Sequence, residues 1–310
     1  MSSAAQPLIV PRTGILALLQ DYAELFKLRV TSLIVMTAWC GYYLGSLKSG
    51  TPSLQWGLVH AMLGIGLVSG GTAAFNEIIE HREDALMRRT QHRPLPANHM
   101  GLGHAVLVAF LATVGGVVYL YYLANPGTAL LALATAVAYL GLYTPLKKIS
   151  PLCTFVGAFP GAMPGVLGWT AARGRLEVEA LVLFAIVFFW QFPHFHSIAW
   201  LYREDYENAE IRMLPVVDAD GQSTIRAILF YLAMLIPVSL VPTLLHMAGW
   251  LYFGGALALG LGFLLTGVRL ARLEMPPGKP RSKQRARQVL IASVFYLPLL
   301  FALMMLNAVA

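Results

Sequence analysis

Long apolar stretches, separated by short polar segments, run along most of the chain. A helix needs about 20 mainly apolar residues to cross the hydrocarbon core of a bilayer. Stretches of that length predict about nine transmembrane helices, and prolines inside them are tolerated where neighbouring helices satisfy the freed backbone groups. The predicted spans are 29–47, 54–75, 103–123, 128–145, 152–171, 179–200, 224–245, 249–271 and 288–308. The pattern therefore predicts an all-α integral membrane protein.

The polar segments between these spans are short. We expect a cytoplasmic N-terminal segment, 1–28, followed by a single transmembrane helical domain, 29–310. Residues 1–29 hold prolines and charges rather than a short apolar core before a small-residue cleavage site. We therefore expect no cleavable signal peptide.

Composition agrees with the membrane interpretation. The 310 residues are 57% hydrophobic and 12% charged, with a mean hydropathy of +0.65. Soluble domains carry roughly 25% charged residues, so this chain has about half the usual supply. A surface so poor in charge excludes the water-soluble globular class.

The basic residues are distributed very unevenly between the loops. If the N-terminus lies inside, all but three of the 22 lysines and arginines fall on the inner side, and the outer loops hold only Lys48, Arg173 and Arg175. Such asymmetry is what the positive-inside rule predicts. The net charge of +7 therefore indicates orientation and an affinity for anionic lipid, and not a nucleic-acid partner.

The richest polar segment follows the second predicted span. Asn76, Glu80 and Asp84 are four residues apart, so on a helix they share one face. Their oxygen atoms suit Mg²⁺, which takes few protein ligands and completes its shell with water and phosphate. Arginines, which bind phosphate in a bidentate manner, follow at positions 88, 89 and 93. The segment predicts a diphosphate site; the alternative is a solvated helix end held by Glu–Arg pairs.

Three further segments carry candidate chemistry. Asp205 lies in a second acidic cluster after the sixth span. Lys147, at the end of the fourth span, could hold a phosphate as a point charge or could serve only as a topology anchor. The sixth span ends in Trp190, His194 and His196, with a proline that frees a backbone carbonyl. The two histidines are candidates for ligation or proton transfer, but they lie on different faces of a helix.

With these residues in view, the chain resembles the UbiA superfamily of intramembrane prenyltransferases, and within it the enzymes that farnesylate haem. The resemblance extends from about residue 25 to 301. It is carried by Asn76, Asp84, Met87, Arg89-Thr90, Arg93-Pro94-Leu95, Tyr143-Thr144-Pro145-Leu146-Lys147, Gly157-Ala158, Gly161-Ala162, Pro164, Gly168-Trp169, Trp190-Gln191, Pro193-His194-Phe195, Asp205-Tyr206, Met213 to Val217, Ser293 and Tyr296-Leu297-Pro298.

The first acidic block departs from the family pattern at two positions. The family usually has aspartate at the middle position of this motif and a further aspartate two residues later. Here the two positions are Glu80 and Arg82. Glutamate can still bind Mg²⁺, although its longer stem shifts the metal, and the arginine replaces a negative charge by a positive one.

The resemblance implies a reaction and a set of roles. Farnesyl diphosphate donates its farnesyl group to a vinyl group of haem b, water is added, and haem O and diphosphate are formed. Asn76, Glu80, Asp84 and Asp205 hold Mg²⁺; Arg88, Arg89, Arg93 and Lys147 bind the diphosphate. Tyr143 stabilises the cation through its ring, and Trp190, His194 and His196 contact haem. The implied setting is the bacterial inner membrane, with the active side and N-terminus cytoplasmic and the C-terminus outside. The implied partners are membrane lipid, haem A synthase and terminal oxidase assembly proteins.

The sequence allows three rival interpretations of the function. A UbiA-type enzyme could prenylate a quinone precursor or chlorophyllide; the segment around His194 argues against it, whereas the altered first acidic block leaves it open. A transporter would often show two matching halves, which the sequence lacks. A structural haem-binding subunit would not need two acidic clusters.

Overall fold

The computed structural model describes residues 14–309, which form a bundle of α-helices. Within that range no β-strand occurs, and Ala248 and Ala308 make one isolated bridge. The helices are α1 (Ile15–Leu25), α2 (Leu28–Lys48), α3 (Trp56–Leu86), α4 (Leu102–Leu123), α5 (Pro126–Ala138), α6 (Thr144–Leu146), α7 (Cys153–Arg173), α8 (Val178–Leu201), α9 (Arg203–Asn208), α10 (Leu214–Val217), α11 (Gln222–Leu244), α12 (Trp250–Ala271) and α13 (Pro280–Leu306). A π-helical turn, Tyr139–Tyr143, joins α5 to α6.

Eight helices in the described range are long and apolar enough to cross a membrane, which makes the chain a multi-pass membrane protein. They are α2, α3, α4, the continuous helix Pro126–Leu146, α8, α11, α12 and α13. The remaining predicted span, 152–171, corresponds to α7, which has 21 residues but does not reach the hydropathy of these eight helices, because it contains glycines and two prolines. The predicted all-α architecture is confirmed.

Helix α7 occupies the centre of the bundle and packs most extensively against α2 and α8. Its small residues let it approach α2 backbone to backbone. A Cβ atom on Gly168 would lie 1.8 Å from the carbonyl oxygen of Ala38, and one on Gly41 would lie 2.0 Å from that of Gly165. Glycine is therefore required at this crossing, and the same residues explain the lower hydropathy of α7.

Two helices extend well beyond the predicted spans. Helix α3 continues to Leu86, whereas the apolar stretch ends at residue 75, so it projects about 16 Å further. Helix α13 begins at Pro280, eight residues before the predicted start. Both extensions carry polar residues, which a hydropathy criterion does not include.

The extensions and most of the basic loops meet at one end of the bundle, which we call the basic end. Ion pairs and hydrogen bonds join its segments, including Lys147 with Glu80, Arg89 with Tyr206, and Lys283 with Glu204. The opposite end holds Lys48, Arg173 and Arg175, paired with two glutamates that precede or begin α8. The loops predicted to share one side of the membrane thus lie together.

The predicted N-terminal segment is only partly described. Residues 1–13 lie outside the described range, and α1 occupies most of the remainder. The joint between α1 and α2 is Lys27, whose φ of 46° places it in the left-handed region. That conformation turns the chain sharply and directs the Lys27 side chain toward α3, where it contacts Asn76.

Candidate active site

The polar face of α3 forms the floor of the candidate site. Asn76 and Asp84 are 2% and 1% exposed, respectively, and Glu80 lies between them on the same face, as its spacing predicts. The alternative of a solvated helix end is wrong, because two of the three side chains are buried. Burial of this kind requires partners.

Each of the three α3 side chains contacts a cation from a different segment. The Lys27 amine donates to Oδ1 of Asn76 at 2.7 Å. The Lys147 amine donates to both carboxylate oxygens of Glu80, at 2.7 and 2.9 Å. Arg93 donates to Oδ2 of Asp84 at 2.6 Å. We call Lys27, Arg93 and Lys147 the basic trio; together they can attract a polyanion such as a diphosphate.

The basic trio is crowded enough to shift the pKa values of its lysines. Burial, with the nearby charges of Arg93 and Lys147, lowers the pKa of Lys27 to about 8. Burial also acts to lower the pKa of Lys147, but the facing groups of Tyr143 and Glu80 outweigh it and hold that pKa above its ordinary value. An additional anion beside Lys27 would favour its charged form.

The π-helical turn directs an aromatic ring toward the same group. Such turns occur mostly as single insertions in α-helices, frequently at functional sites. The Lys147 amine lies 4.6 Å from the centroid of the Tyr143 ring, and Tyr139 packs against that ring at 5.0 Å. The opposite neighbour is Gly157, where a Cβ atom would come within 2.4 Å of the ring. Tyr143 therefore presents a ring face that already contacts a cation.

Arg89 links the loop after α3 to the second acidic segment. It donates to the Tyr206 hydroxyl at 3.0 Å and lies 5.0 and 5.3 Å from the ring centroids of Tyr202 and Tyr206. Burial works against its charge, but Tyr206, Tyr202 and the carboxylate of Asp84 hold the pKa of Arg89 above its ordinary range. The arginine stays charged while it joins the two loops.

An open cavity of about 480 Å³ lies beside this arginine. Its lining residues are Arg88, Arg89, His92, Leu201, Tyr202, Glu204 and Asp205. Asp205 is thus at the cavity wall, on α9, together with two of the predicted diphosphate-binding arginines. The loop after α3 and the second acidic segment thus line one cavity, whereas Asn76, Glu80 and Asp84 are not among its lining residues.

The four predicted metal ligands do not form a closed cluster. Among residues 14–309, no group of three or more His, Cys, Asp or Glu side chains could hold a metal ion by itself. The oxygen donors of Asn76, Glu80 and Asp84 nevertheless have the chemistry that Mg²⁺ prefers, and Mg²⁺ commonly uses one or two carboxylates with substrate phosphates. The donor set therefore fits a metal that arrives with a diphosphate.

A second site lies within α8. The Trp190 and His194 rings are stacked with centroids 4.7 Å apart and planes inclined by 21°. Both bind one residue of α13: the Trp190 indole donates to the Ser293 carbonyl at 2.8 Å, and Nδ1 of His194 is 2.8 Å from the Ser293 hydroxyl. The next residue, Phe195, packs in the same cluster as Tyr143 and Tyr206, so the two sites are adjacent.

The structure does not bring His196 to this pair. It lies two residues along α8, about 200° around the helix axis from His194, and its ring is 6.2 Å from that of Phe192. Its Nδ1 atom is buried with no hydrogen-bond partner in the described range. A single ligand would not reach both histidines from one side of the helix.

Two residues of the site were not predicted as site residues. In the sequence, Lys27 is one of the positive charges before the first span, and nothing in the local sequence indicates its left-handed conformation. Thr144, whose hydroxyl lies 3.4 Å from the amide nitrogen of Asn76, follows the predicted Tyr143. The signal for Thr144 is present, since it lies between two predicted site residues, but Lys27 could be found only from the tertiary contact.

Known proteins are similar to this chain in sequence and in fold. The UbiA prenyltransferase family matches residues 34–294. The Protoheme IX farnesyltransferase of Koribacter versatilis (strain Ellin345) is 60% identical over 307 residues, 99% of each chain. The protein of the same name from Solibacter usitatus (strain Ellin6076) is 48% identical over 93% of this chain and 99% of its own.

Solved structures with much lower identity have the same fold. A digeranylgeranylglyceryl phosphate synthase superposes with a TM-score of 0.74 over 93% of this chain and 98% of its own, at 16% identity. A UbiA homolog from Archaeoglobus fulgidus, bound to GPP and Mg²⁺, superposes with a TM-score of 0.62 over 92% and 99%, also at 16% identity. At this identity the likeness concerns the fold alone.

Proposed function

The chain belongs to the UbiA prenyltransferase family, and we propose that it transfers the farnesyl group of farnesyl diphosphate to a vinyl group of protohaem IX (haem b). Water is added in the same reaction, and the products are haem O and diphosphate. The observation that carries this proposal is the 60% identity to a Protoheme IX farnesyltransferase over 99% of both chains.

The diphosphate binds at the basic end, against the polar face of α3. Lys27, Arg93 and Lys147 supply three positive charges there, each within hydrogen-bond distance of an α3 side chain. These charges stabilise the negative charge that develops on the departing diphosphate. Arg88 and Arg89, at the cavity wall, complete the diphosphate-binding set.

Asn76, Glu80, Asp84 and Asp205 are the residues that would hold Mg²⁺. When bound, Mg²⁺ supplies a Lewis acid that neutralises the phosphate oxygens and favours their departure. Glu80 has a second task in this chain, because both of its oxygens contact Lys147. It positions that lysine against the Tyr143 ring.

Cleavage of the allylic carbon–oxygen bond leaves an allylic cation, which Tyr143 stabilises through its ring face. The electron-rich vinyl group of haem attacks this cation; water then captures the new cation beside the porphyrin and releases a proton, which leaves a hydroxyl group. The apolar surroundings of Phe195 and Tyr143 keep stray water away from the first cation. Trp190 and His194 contact haem from α8. His196 belongs to the same segment but lies on another face of the helix.

We further propose the membrane in which the protein resides, its orientation there and its partners. The protein resides in the bacterial inner membrane with the basic end in the cytoplasm, because an excess of lysine and arginine marks the inner side. The N-terminus is then cytoplasmic and the C-terminus outside. Haem A synthase or terminal oxidase assembly proteins receive the product.

A choice of acceptors tests the proposal. Purified full-length protein is incubated with farnesyl diphosphate and Mg²⁺, in one tube with haem b and in another with an aromatic quinone precursor, and the products are separated by chromatography. We expect a farnesylated product in the haem tube alone. Prenylation of the quinone precursor with unchanged haem would contradict the proposal.

A further inference from the structure

The hydrogen bonds of Ser293 determine which nitrogen of His194 carries a proton. The Ser293 hydroxyl donates to the Leu290 carbonyl at 2.6 Å. A hydroxyl has one proton to donate, so in its 2.8 Å contact with Nδ1 of His194 it must accept. The proton of the neutral ring is therefore on Nδ1, and Nε2 carries the free lone pair.

The same serine also fixes the orientation of the ring. Its carbonyl accepts a hydrogen bond from the Trp190 indole, and the indole stacks on the imidazole. Ser293 therefore fixes the position of the proton on the His194 ring through its hydroxyl. It fixes the orientation of the ring plane through its carbonyl and the Trp190 indole. A histidine whose Nδ1–H donates to a fixed oxygen is the usual arrangement of a metal-binding histidine, with Nε2 directed at the metal.

The Nε2 atom of His194 is available to a ligand. Within residues 14–309 it makes no hydrogen bond, and it is not among the fully buried polar atoms that lack a hydrogen-bond partner. His196 differs at its Nδ1 atom, which is buried and has no hydrogen-bond partner within the same range, so no hydrogen bond sets the tautomer or the orientation of that ring. Of the two histidines of α8, only His194 has a tautomer and a ring orientation set by a hydrogen bond among the described residues.

The depth of His194 decides what that lone pair can bind. The ring lies seven residues, about 10 Å, before the end of α8 at Leu201. A haem propionate at that depth would be a carboxylate in an apolar region, which is costly. It would also face a lone pair instead of a donor. A metal ion has the opposite requirement and binds the lone pair directly.

We propose that Nε2 of His194 is an axial ligand of the haem iron, held in the ligating tautomer by Ser293. This inference rests on the proposed function, since it takes haem as the acceptor. Ligation fixes the macrocycle beside α8, next to the cluster of Phe195, Tyr143 and Tyr206. The propionates are then free to reach toward the basic end, and a vinyl group can be held near the prenyl cation.

The affinities for two porphyrins, one with iron and one without, distinguish iron ligation from other contacts. Detergent-solubilised full-length protein and its variants are titrated with haem b and with metal-free protoporphyrin IX. We expect Ser293→Ala to weaken haem binding about 10- to 100-fold, and His194→Ala to weaken it at least as much. Neither variant should change the affinity for the metal-free porphyrin, which has the same propionates but no iron.

Resonance Raman spectra of the ferrous complex provide the second readout. The iron–histidine stretching band should be present in the wild type and in His60→Ala, a control at the opposite end of the bundle. It should be absent in His194→Ala and return when imidazole is added to His194→Gly. A band that persists without His194, or disappears only in His196→Ala, would overturn the assignment. Equal loss of affinity for both porphyrins would overturn it as well.

The two proposals fail in different ways. If wild-type protein shows the iron–histidine band but yields no farnesylated haem, the proposed function fails and the ligand assignment stands. If haem is farnesylated by protein that shows no such band, the function stands and the assignment fails.

Discussion

The ring of Tyr143 is held between a lysine and a glycine, and its position is sensitive to one methyl group. We expect Gly157→Ala to reduce turnover about 10-fold or more, because the new Cβ atom would lie 2.4 Å from the ring and a displacement of about 1 Å can be that costly. Steady-state kinetics of haem farnesylation measure the effect.

Gly141→Ala is the matched control for this change. Gly141 lies in the same π-helical turn, but a Cβ atom there would meet no other atom within 4 Å. Its turnover should equal that of the wild type. Equal losses in both variants would mean that the turn as a whole, and not the Tyr143 ring, is disturbed.

Lys27 contributes a charge that only the tertiary structure reveals. Lys27→Met removes the amine that contacts Asn76 at 2.7 Å, and a hydrogen bond to a charged group is worth about 1.5–3 kcal/mol. We expect the KM for farnesyl diphosphate to rise about 10- to 100-fold while the affinity for haem is retained. Arg29→Met, which removes an exposed charge two residues away, should leave KM unchanged; the same rise in both would exclude a specific role for Lys27.

The spacing of Asn76, Glu80 and Asp84 was enough to predict that they share a face. It could not predict their partners. Asp84 pairs with Arg93 and not with Arg88, which is nearer in sequence, and Glu80 pairs with Lys147 on another helix. Local periodicity determines the direction of a side chain, whereas the partner depends on how helices and loops pack.

At the scale of elements, the crossing of α2 and α7 depends on glycine. We expect Gly168→Ala to lower the free energy of unfolding by about 3 kcal/mol, because the added Cβ atom would lie 1.8 Å from a backbone oxygen that cannot move aside. Thermal unfolding in detergent measures the loss. Gly254→Ala, on an open face of α12, should not lower the midpoint; a similar fall there would point to helix flexibility and not to the crossing.

The joint between α7 and α8 contains an ion network at the opposite end from the site. Arg173, with Trp169 and Lys48, lowers the pKa of Glu177 to about 2. A carboxylate with a lowered pKa stabilises the fold above its ordinary pKa of 4.5, and that contribution is lost as the pH falls toward 2.

Glu177→Gln tests this network. Above pH 5 we expect it to reduce stability by about 1–3 kcal/mol, and the difference from the wild type should shrink as the pH falls from 4.5 toward 2. Turnover should be unaffected, since the network lies at the far end of the bundle. A stability difference that does not vary over this range would contradict the assigned pKa.

Hydropathy predicted the membrane helices to within a few residues at most boundaries, and the features that it missed include two that neighbouring helices explain. The continuation of α3 to Leu86 was missed because its polar face turns toward other protein segments and not toward lipid. The central position of α7 was also unpredicted, since glycine and proline lower its hydropathy for the very reason that it packs closely. Both features depend on neighbouring helices.

At the scale of the whole molecule, the fold is shared with proteins only 16% identical to this chain, so the fold does not by itself choose the acceptor. We propose that a few residues make the choice of acceptor. The basic end provides the charges suited to a diphosphate, and the Trp190–His194 pair on α8 provides a fixed imidazole suited to haem. The sequence indicated both sets, but only the structure shows that Phe195 connects them.

One mass spectrum tests the central claim most directly. Full-length protein is incubated with haem b, farnesyl diphosphate and Mg²⁺ in ¹⁸O-labelled water, and the molecular mass of the extracted haem is measured. The account predicts haem b plus one farnesyl group and one ¹⁸O-labelled water, with conversion abolished by chelation of the metal. Haem of unchanged mass, or a farnesyl adduct without the label, would contradict transfer to the vinyl group followed by capture of water.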